Sequence, residues 1–439
     1  MAYKVCKFGG SSLATREHFE KVIEGIVLKD EYRRFIVVSA PGKKDPTDTK
    51  MTDELIGAYG GSTGSLERVR GWLRANTDDS LSKNLCSELD RRMSEGQADT
   101  IKAFGEYASG HIMSYLLNTK GSSAQFMGPK ELGFIVDEAL RPREESYKRM
   151  ALELLPKVPK GKSRPITIIP GFYAYTEKGK LVTLQRGGSD ITGAVVANAV
   201  GASVYENWTD TDGLHRADPR IVENPQLIQE ITYREARELA SAEFKLQEDS
   251  LLPLMEKKIP LHVRNTFNAT AQGTLVVYER VVPSDEEIVG VAGKAGYTLL
   301  TVNKTFIDKE IGVGRKALRV LEREGVPYDH SPTGTDLMGF FIENGYLAEP
   351  GKINTVLREM DKALHPCTVT VGRTEARVLA VGLGMIRNPK GTNTRILGAL
   401  EQEGIKTRVL GDIDISFSLR TTVQDMEPAV RAIYKAFYR

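Results

Sequence analysis

An α/β chain with a mainly parallel central sheet, followed by two smaller βαββαβ units, is the fold class this sequence predicts. Three observations predict it. Short apolar runs alternate with amphipathic stretches through the first 206 residues, the pattern of strands and helices that cover both faces of a sheet. Polar, glycine-containing turns follow several of those runs, where open α/β sheets hold their ligands. Past Arg280 the elements shorten and their order repeats once.

Tyr3 to Phe8 has the length and mix of a buried strand, and Gly9-Gly10-Ser11-Ser12 breaks it before a helical pattern begins near Arg16. Phe19, Val22, Ile23, Ile26 and Val27 recur at 3-4 spacing, so a helix leads into a second strand, Phe35–Val38, which ends in Ser39-Ala40-Pro41-Gly42. A helix over Thr100–Asn118 feeds a strand at Ser123–Met127. Pro165–Pro170 and Leu181–Leu184 read as further strands, and a helix over Ser189–Val200 precedes one at Ser203–Glu206. Pro283–Glu287 reads as a linker.

From Tyr297 the order is strand, helix (Val313–Glu324), strand, strand (Leu337–Ile342), helix (Ile353–Ala363), strand (Cys367–Val371). It restarts at Arg377 with a strand, then helix (Thr394–Glu403), strand (Thr407–Leu410), strand (Ile413–Leu419) and helix (Asp425–Phe437). The second unit lacks its last strand, and Ile288–Val291 is expected to supply it, interlocking the two. The expected domains are 1–282, a linker with the lent strand at 283–296, and units at 297–373 and 374–439.

At 41% apolar and 27% charged, the 439 residues have globular rather than disordered composition. Lys plus Arg exceed Asp plus Glu by only two, which removes the bulk electrostatic ground for a nucleic acid or an anionic membrane as partner. Cys6, Cys86 and Cys367 are odd in number and scattered, without metal-ligand spacing, so a reduced cytoplasmic compartment and no dedicated metal site are expected. The first ten residues lack a basic-then-apolar leader, and no window reaches the roughly 18 apolar residues of a membrane span.

Several turns and one helical stretch, Phe104–Tyr107, carry unusual residues. In Lys7-Phe8-Gly9-Gly10-Ser11 the glycines let backbone N–H groups approach an anion and the lysine adds charge, which suits a nucleotide phosphate, although an ordinary tight turn looks similar. In Gln185–Asp190 the free N–H groups of a helix start favour anions, Arg186 offers a fork matched to a carboxylate, and Asp190 can organise lysines or Mg²⁺; a plain Ser189 cap is the simpler reading. Glu106, among apolar neighbours, is the carboxylate a substrate ammonium needs, or merely a salt-bridged one. Trp208–Gly213, read as a post-strand loop, and Ala217–Arg220 are rich in acceptors and end in an arginine, suiting ribose and phosphate. Gly161-Lys162-Ser163 is no phosphate loop, since Pro156 stands where its first glycine belongs, and Gly312–Ala317 fits the dinucleotide fingerprint only nominally, being in the small units.

Taken in order, Lys7–Ser12, Ser39–Gly42, Lys50–Asp53, Gly105-Glu106, Pro170–Phe172, Arg186–Asp190, Trp208–Asp210, Ala217–Arg220, Arg264–Asn268 and Gly273–Leu275 resemble the aspartokinase family over nearly the whole chain. The resemblance implies a three-layer amino acid kinase domain followed by two interlocked ACT domains. It implies transfer of the ATP γ-phosphate to the side-chain carboxylate of L-aspartate with Mg²⁺, the entry to lysine, threonine and methionine synthesis. By it, Lys7, Gly9, Gly10 and Ser11 hold phosphates and Asp190 orients the cationic groups. Arg186 grips the substrate α-carboxylate and Glu106 its ammonium, with Ser39, Thr52, Phe172 and Ser189 lining the pocket. Thr209, Asp210, His215 and Arg220 contact nucleotide. It also implies an amino-acid effector and a homodimer or tetramer formed through the ACT domains.

Two departures stand out. The family's Gly-Ala-Lys-Val-Leu-His-like run, whose lysine reaches ATP phosphate, is Ser241-Ala242-Glu243-Phe244-Lys245-Leu246-Gln247 here, one residue short, so Lys245 is in register from one side and Phe244 from the other: either Lys245 serves as the second phosphate lysine or the site lacks one. The loop before Ile413–Phe417 is shortened to Leu410-Gly411-Asp412, so the first unit, with Gly312–Lys316 facing His330–Asp336, is the expected place for an effector. An amino-acid sensor without turnover, and a kinase for glutamate or a nucleotide, are the alternatives.

Overall fold

The computed structural model describes residues 3–155, 164–185, 187–242 and 248–438. It divides into two compact units, Met1–Leu214 with Leu227–Tyr233 and Gln247–Arg280, and His215–Gln226 with Arg234–Leu246 and Val281–Arg439.

The first unit contains β1 (Lys4–Phe8), β2 (Arg33–Val38), β3 (Ala124–Phe126), β4 (Ile135–Val136), β5 (Ile166–Pro170), β6 (Tyr173–Thr176), β7 (Leu181–Thr183), β8 (Val204–Thr209), β9 (Glu230–Thr232), β10 (Leu261–Asn265) and β11 (Thr274–Val277). Eight of them form one sheet in the order β3-β5-β2-β1-β8-β10-β11-β9, parallel throughout except between β10 and β11. All five residues of β5 and the last four of β1 and β2 are buried, as strands covered on both faces must be. On one face Phe8, Ile36, Val38 and Ile168 pack with Phe19, Val22 and Ile23 of the helix Arg16–Gly25 and with Phe104, Ile112 and Met113 of the helix Phe104–Thr119. On the other lies the helix Gly188–Val200, buried at every residue except Asp190. A Cβ on its Gly193 would fall 2.4 Å from the Tyr205 hydroxyl, so glycine lets the helix press onto β8. β1 sits between β2 and β8, and the chain proceeds outward on both sides, which makes the carboxyl ends of β1 and β8 the crevice for a ligand.

Three expectations are corrected. Leu181–Leu184 is not a strand of the main sheet; β7 joins β4 and β6 in a separate three-stranded sheet. The single helix over Thr100–Asn118 is two, Ala98–Lys102 and Phe104–Thr119. Trp208 and Thr209 belong to β8 rather than to a loop, because Trp208 is buried in stacking contact with Phe8, ring centroids 6.1 Å apart. The Gly161–Ser163 segment lies outside the described residues.

In the second unit β12 (Gly290–Asn303), β13 (Leu337–Glu343), β14 (Thr368–Val381), β15 (Arg408–Ile413) and β16 (Ser416–Thr422) form an antiparallel sheet in the order β13-β12-β14-β16-β15. β12 and β14 are long enough to serve two halves. Gly290–Ala295 pairs with Ala376–Val381, whose other edge carries β16, while Leu299–Asn303 pairs with Thr368–Gly372 on one side and, with Tyr297 and Thr298, with β13 on the other. The helices Val313–Arg323 and Lys352–Leu364 close one core around Leu300 and Phe340; Pro389–Gln402 and Val423–Phe437 close another around Val291, Val378 and Phe417. The two halves thus share one sheet, Gly290–Ala295 completing the second; in the first, the strand expected between the helix Val313–Arg323 and β13 is reduced to isolated bridges at His330–Phe341 and Thr333–Met338. Gly312, at φ +87°, precedes the first of these helices.

Candidate active site

Register places Lys7 of β1 directly beside Asn207 of β8. Both point toward the helix Gly188–Val200, where Lys7 Nζ lies 2.7 Å from Asp190 Oδ1 and donates to Asn207 Oδ1 at 3.4 Å, while Asn207 Nδ2 donates to Asp190 Oδ1 at 2.7 Å. Lys7 is only 8% exposed, so its charge needs this partner. The pair fixes an ammonium beside the turn after β1.

That turn is held by backbone. Gly9 N–H donates to Trp208 O at 3.1 Å, and Gly42 N–H to Gly10 O at 2.8 Å. A Cβ on Gly10 would stand 2.8 Å from Ala40 O and 3.0 Å from Gly42 N, so the turns after β1 and β2 approach as closely as glycine permits. Ser11 is the second residue of a short helical turn over Gly10–Leu13, and its carbonyl lies 3.0 Å from His18 Nδ1. Ser39 N–H donates to Phe8 O at 3.2 Å. Thr52 is in the first turn of the helix Met51–Tyr59, whose Met51 N–H donates to Pro41 O at 3.2 Å.

The turn after β5 meets the start of the helix Gly188–Val200. A Cβ on Gly171 would be 2.7 Å from Ser189 Cβ, and one on Gly188 3.2 Å from Phe172 Cα. Phe172 adopts φ +71°, a left-handed conformation costly for an aromatic residue, and its carbonyl accepts from Leu184 N–H at 2.7 Å. Strain at such a position is characteristic of functional turns.

Glu106, in the first turn of the helix Phe104–Thr119, is 4% exposed and its Oε2 has no hydrogen-bond partner. Burial raises its carboxyl from an ordinary 4.5 to about 8, against a smaller opposing effect of the Ala40 N–H. Ala40 thus touches both Glu106 and the Gly10 turn. Lys7, Gly9, Gly10, Ser39, Glu106, Phe172, Ser189 and Asp190 are joined through these contacts around the carboxyl ends of β1, β2 and β5. Thr209 ends β8, its hydroxyl donating to the exposed Asp210 at 3.2 Å. His215 and Arg220 belong to the second unit, where Arg220 pairs with Asp218 at 2.5 Å. Arg186 and Lys245 lie outside the described residues. Among those described, no group of three or more His, Cys, Asp or Glu is placed to hold a metal ion, and no helix is long and apolar enough to cross a membrane.

The model of the amino acid kinase family matches residues 2–265. Aspartokinase 3 of Bacillus subtilis (strain 168) is 33% identical over 456 residues, covering 99% of this chain and 98% of its own. The chain belongs to the aspartokinase family. The crystal structure of Clostridium acetobutylicum aspartate kinase shares its fold at TM-score 0.84 and 32% identity, over 99% of this chain and all of that one. Escherichia coli aspartokinase III, crystallised with aspartate and ADP, shares the fold at TM-score 0.82 and 24% identity over the whole of both chains.

Sequence reasoning missed two features of this aspartokinase-family site. Asn207, which braces Asp190, was signalled only as a polar residue two positions before the end of β8. On the opposite face, Glu206 is 2% exposed and accepts from Arg33 Nε at 2.8 Å, Trp208 Nε1 at 3.1 Å and Cys6 Sγ at 3.3 Å. Burial works to raise this carboxyl, yet the Arg33 fork holds it below the ordinary range. The same burial, with the Glu206 charge, pushes the Cys6 thiol well up. This network ties β1, β2 and β8 together directly behind Lys7.

Proposed function

We propose that this chain transfers the γ-phosphoryl group of ATP to the side-chain carboxylate of L-aspartate, giving 4-phospho-L-aspartate and ADP. The observation that carries the reading is one loop cluster holding both a buried lysine pinned by Asp190 beside a Gly-Gly turn and a buried carboxylate with a bare oxygen. Lysine and turn suit phosphate; the bare oxygen suits an ammonium. The attacking carboxylate is ionised at neutral pH, so no general base is required. A carboxylate oxygen forms a bond to Pγ as the bridge from Pγ to the β-phosphate breaks, and the charge spreads over the equatorial oxygens. Lys7 and the N–H groups of Gly10 and Ser11 offset that charge, Gly9 lets the phosphate approach the turn, and Asp190 keeps the lysine in place. Mg²⁺ enters as part of the substrate, bound to ATP.

Glu106 receives the substrate ammonium, Arg186 its α-carboxylate, and Ser39, Thr52, Phe172 and Ser189 line the pocket. Thr209 and Asp210 add nucleotide contacts. Residues 1–282 form the catalytic domain, and the units at 297–373 and 374–439 form the regulatory part, the first binding an amino-acid effector. The protein works in the cytoplasm as a homodimer or tetramer. ADP release with aspartate, glutamate and nucleoside monophosphates as acceptors, with hydroxamate trapping of the acyl phosphate, tests the assignment. Turnover with aspartate alone is expected; turnover with another acceptor, or with none, refutes it.

A further inference from the structure

Two buried oxygens of the helix Phe104–Thr119 have no hydrogen-bond partner, Glu106 Oε2 and Ser109 Oγ. Ser109 is fully buried and Glu106 nearly so, and a polar group taken from water without a partner is unfavourable. A buried helical hydroxyl ordinarily returns to the carbonyl four residues back. Thr192 does so to Gly188 O and Thr392 to Asn388 O, each at 2.9 Å. Ser109 does not.

The three-residue separation puts Ser109 and Glu106 on one helix face, a turn apart. Their neighbours fix where that face looks. A Cβ on Gly105 would lie 2.6 Å from Ala40 Cβ, and one on Gly110 would lie 2.7 Å from the Phe126 ring and 3.9 Å from Val38. Ser109 therefore stands between two glycines at the carboxyl end of β2, the end that carries the loop cluster. His111, whose Nε2 is also bare, is turned away and stacks on Phe126 at 4.1 Å.

We propose that Ser109 belongs to the subsite for the substrate ammonium, as a positioning residue whose hydroxyl supports the Glu106 carboxylate once the ammonium ionises it. This rests on the aspartate kinase reading above and adds a residue which that reading does not use. An ionised Glu106 has more acceptor sites than the Ala40 N–H and one ammonium can fill, and a hydroxyl on the same face is a further donor. Tyr173, itself buried, is the titratable neighbour that feels the Glu106 charge.

The test is steady-state ADP release against aspartate between pH 6 and 9 for the wild type, Ser109→Ala and Ser109→Thr, with thermal midpoints of the ligand-free proteins. Ser109→Ala is expected to raise KM for aspartate about ten-fold, as loss of a hydrogen bond to a charged group does, with kcat within about two-fold. The acidic limb of kcat/KM should move to higher pH, and the midpoint should stay level or rise, since an unpartnered hydroxyl is removed. Ser109→Thr should restore KM and the limb. Unchanged KM and pH limb in Ser109→Ala, a lowered midpoint with unchanged kinetics, or a folded Ser109→Thr that restores neither would overturn the proposal while wild-type turnover leaves the kinase reading standing. A wild type that does not turn over aspartate refutes that reading first, before any variant is compared.

Discussion

Replacing Glu106 by glutamine should make the ligand-free protein more resistant to unfolding at alkaline pH than the wild type. The folded-state carboxyl titrates at about 8 against an ordinary 4.5, chiefly through burial. Between those values the native state holds a proton that the unfolded chain has released, so wild-type stability falls as pH rises through that window. At about 1.4 kcal/mol per pH unit the whole window bounds the loss at about 5 kcal/mol. Glutamine carries no such titration. Urea unfolding followed by tryptophan fluorescence at pH 5.5, 7.0 and 8.5 should therefore show the variant gaining on the wild type by a few kcal/mol across the series. Saturating aspartate should narrow that gap, because an ammonium on Oε2 lets the carboxylate ionise. Calorimetry at pH 7 in buffers of different ionisation enthalpy should register a proton released per aspartate bound, and none in the variant. Parallel pH profiles for the two proteins would refute the claim that this carboxylate is buried without a charge partner.

Three further outcomes follow from the same geometry. Lys7→Ala should lower turnover on the order of 10²-fold or more while leaving the fold intact, as removal of one preorganised donor does; near-normal kcat would remove Lys7 from the phosphate site. Gly10→Ala must displace Ala40 O or Gly42 N, 2.8 and 3.0 Å from the new Cβ, and should cost about 1–3 kcal/mol of stability together with at least ten-fold in turnover; an unaffected melting midpoint would contradict the close approach. Arg33→Met leaves the buried Glu206, among the described residues, with Lys4 and Arg264 at 3.8 and 3.9 Å as charged neighbours and should cost about 3 kcal/mol, most of it recovered in Arg33→Met with Glu206→Met; a double variant no better than the single would show that the pair itself stabilises the sheet.

Much of this architecture was legible because its signals are local. β1, β2 and β5 announce themselves as apolar runs closed by glycine or proline, and the helix Gly188–Val200 as an apolar stretch begun by Ser189. The sharing of one sheet by the last two units was readable from a strand missing at the chain end. What was not legible depends on contacts distant in sequence. β7 looks like any short strand, and only its pairing with β6 removes it from the main sheet. The Cys6–Arg33–Glu206 network joins residues up to 200 positions apart, with no periodicity to betray it. The helices Thr63–Asn76 and Asp79–Glu95 begin with serine and aspartate caps, but their charge-rich faces give a weak apolar stripe. Of the site, Lys7 and Asp190 were legible as residue types in telling turns and Glu106 as a carboxylate among apolar helix neighbours, whereas the bracing by Asn207 required the β1–β8 register.

The central claim is that one loop cluster at the carboxyl ends of β1, β2 and β5 receives both reactants, phosphate against Lys7 and an amino acid against Glu106. A crystal structure of this protein with aspartate and MgADP measures it most directly. The account predicts the aspartate ammonium within hydrogen-bonding distance of Glu106 Oε2 and the nucleotide's terminal phosphate within reach of Lys7 Nζ and the Gly9-Gly10 turn. Aspartate bound away from Glu106, or ADP bound with its phosphates remote from Lys7, would contradict it.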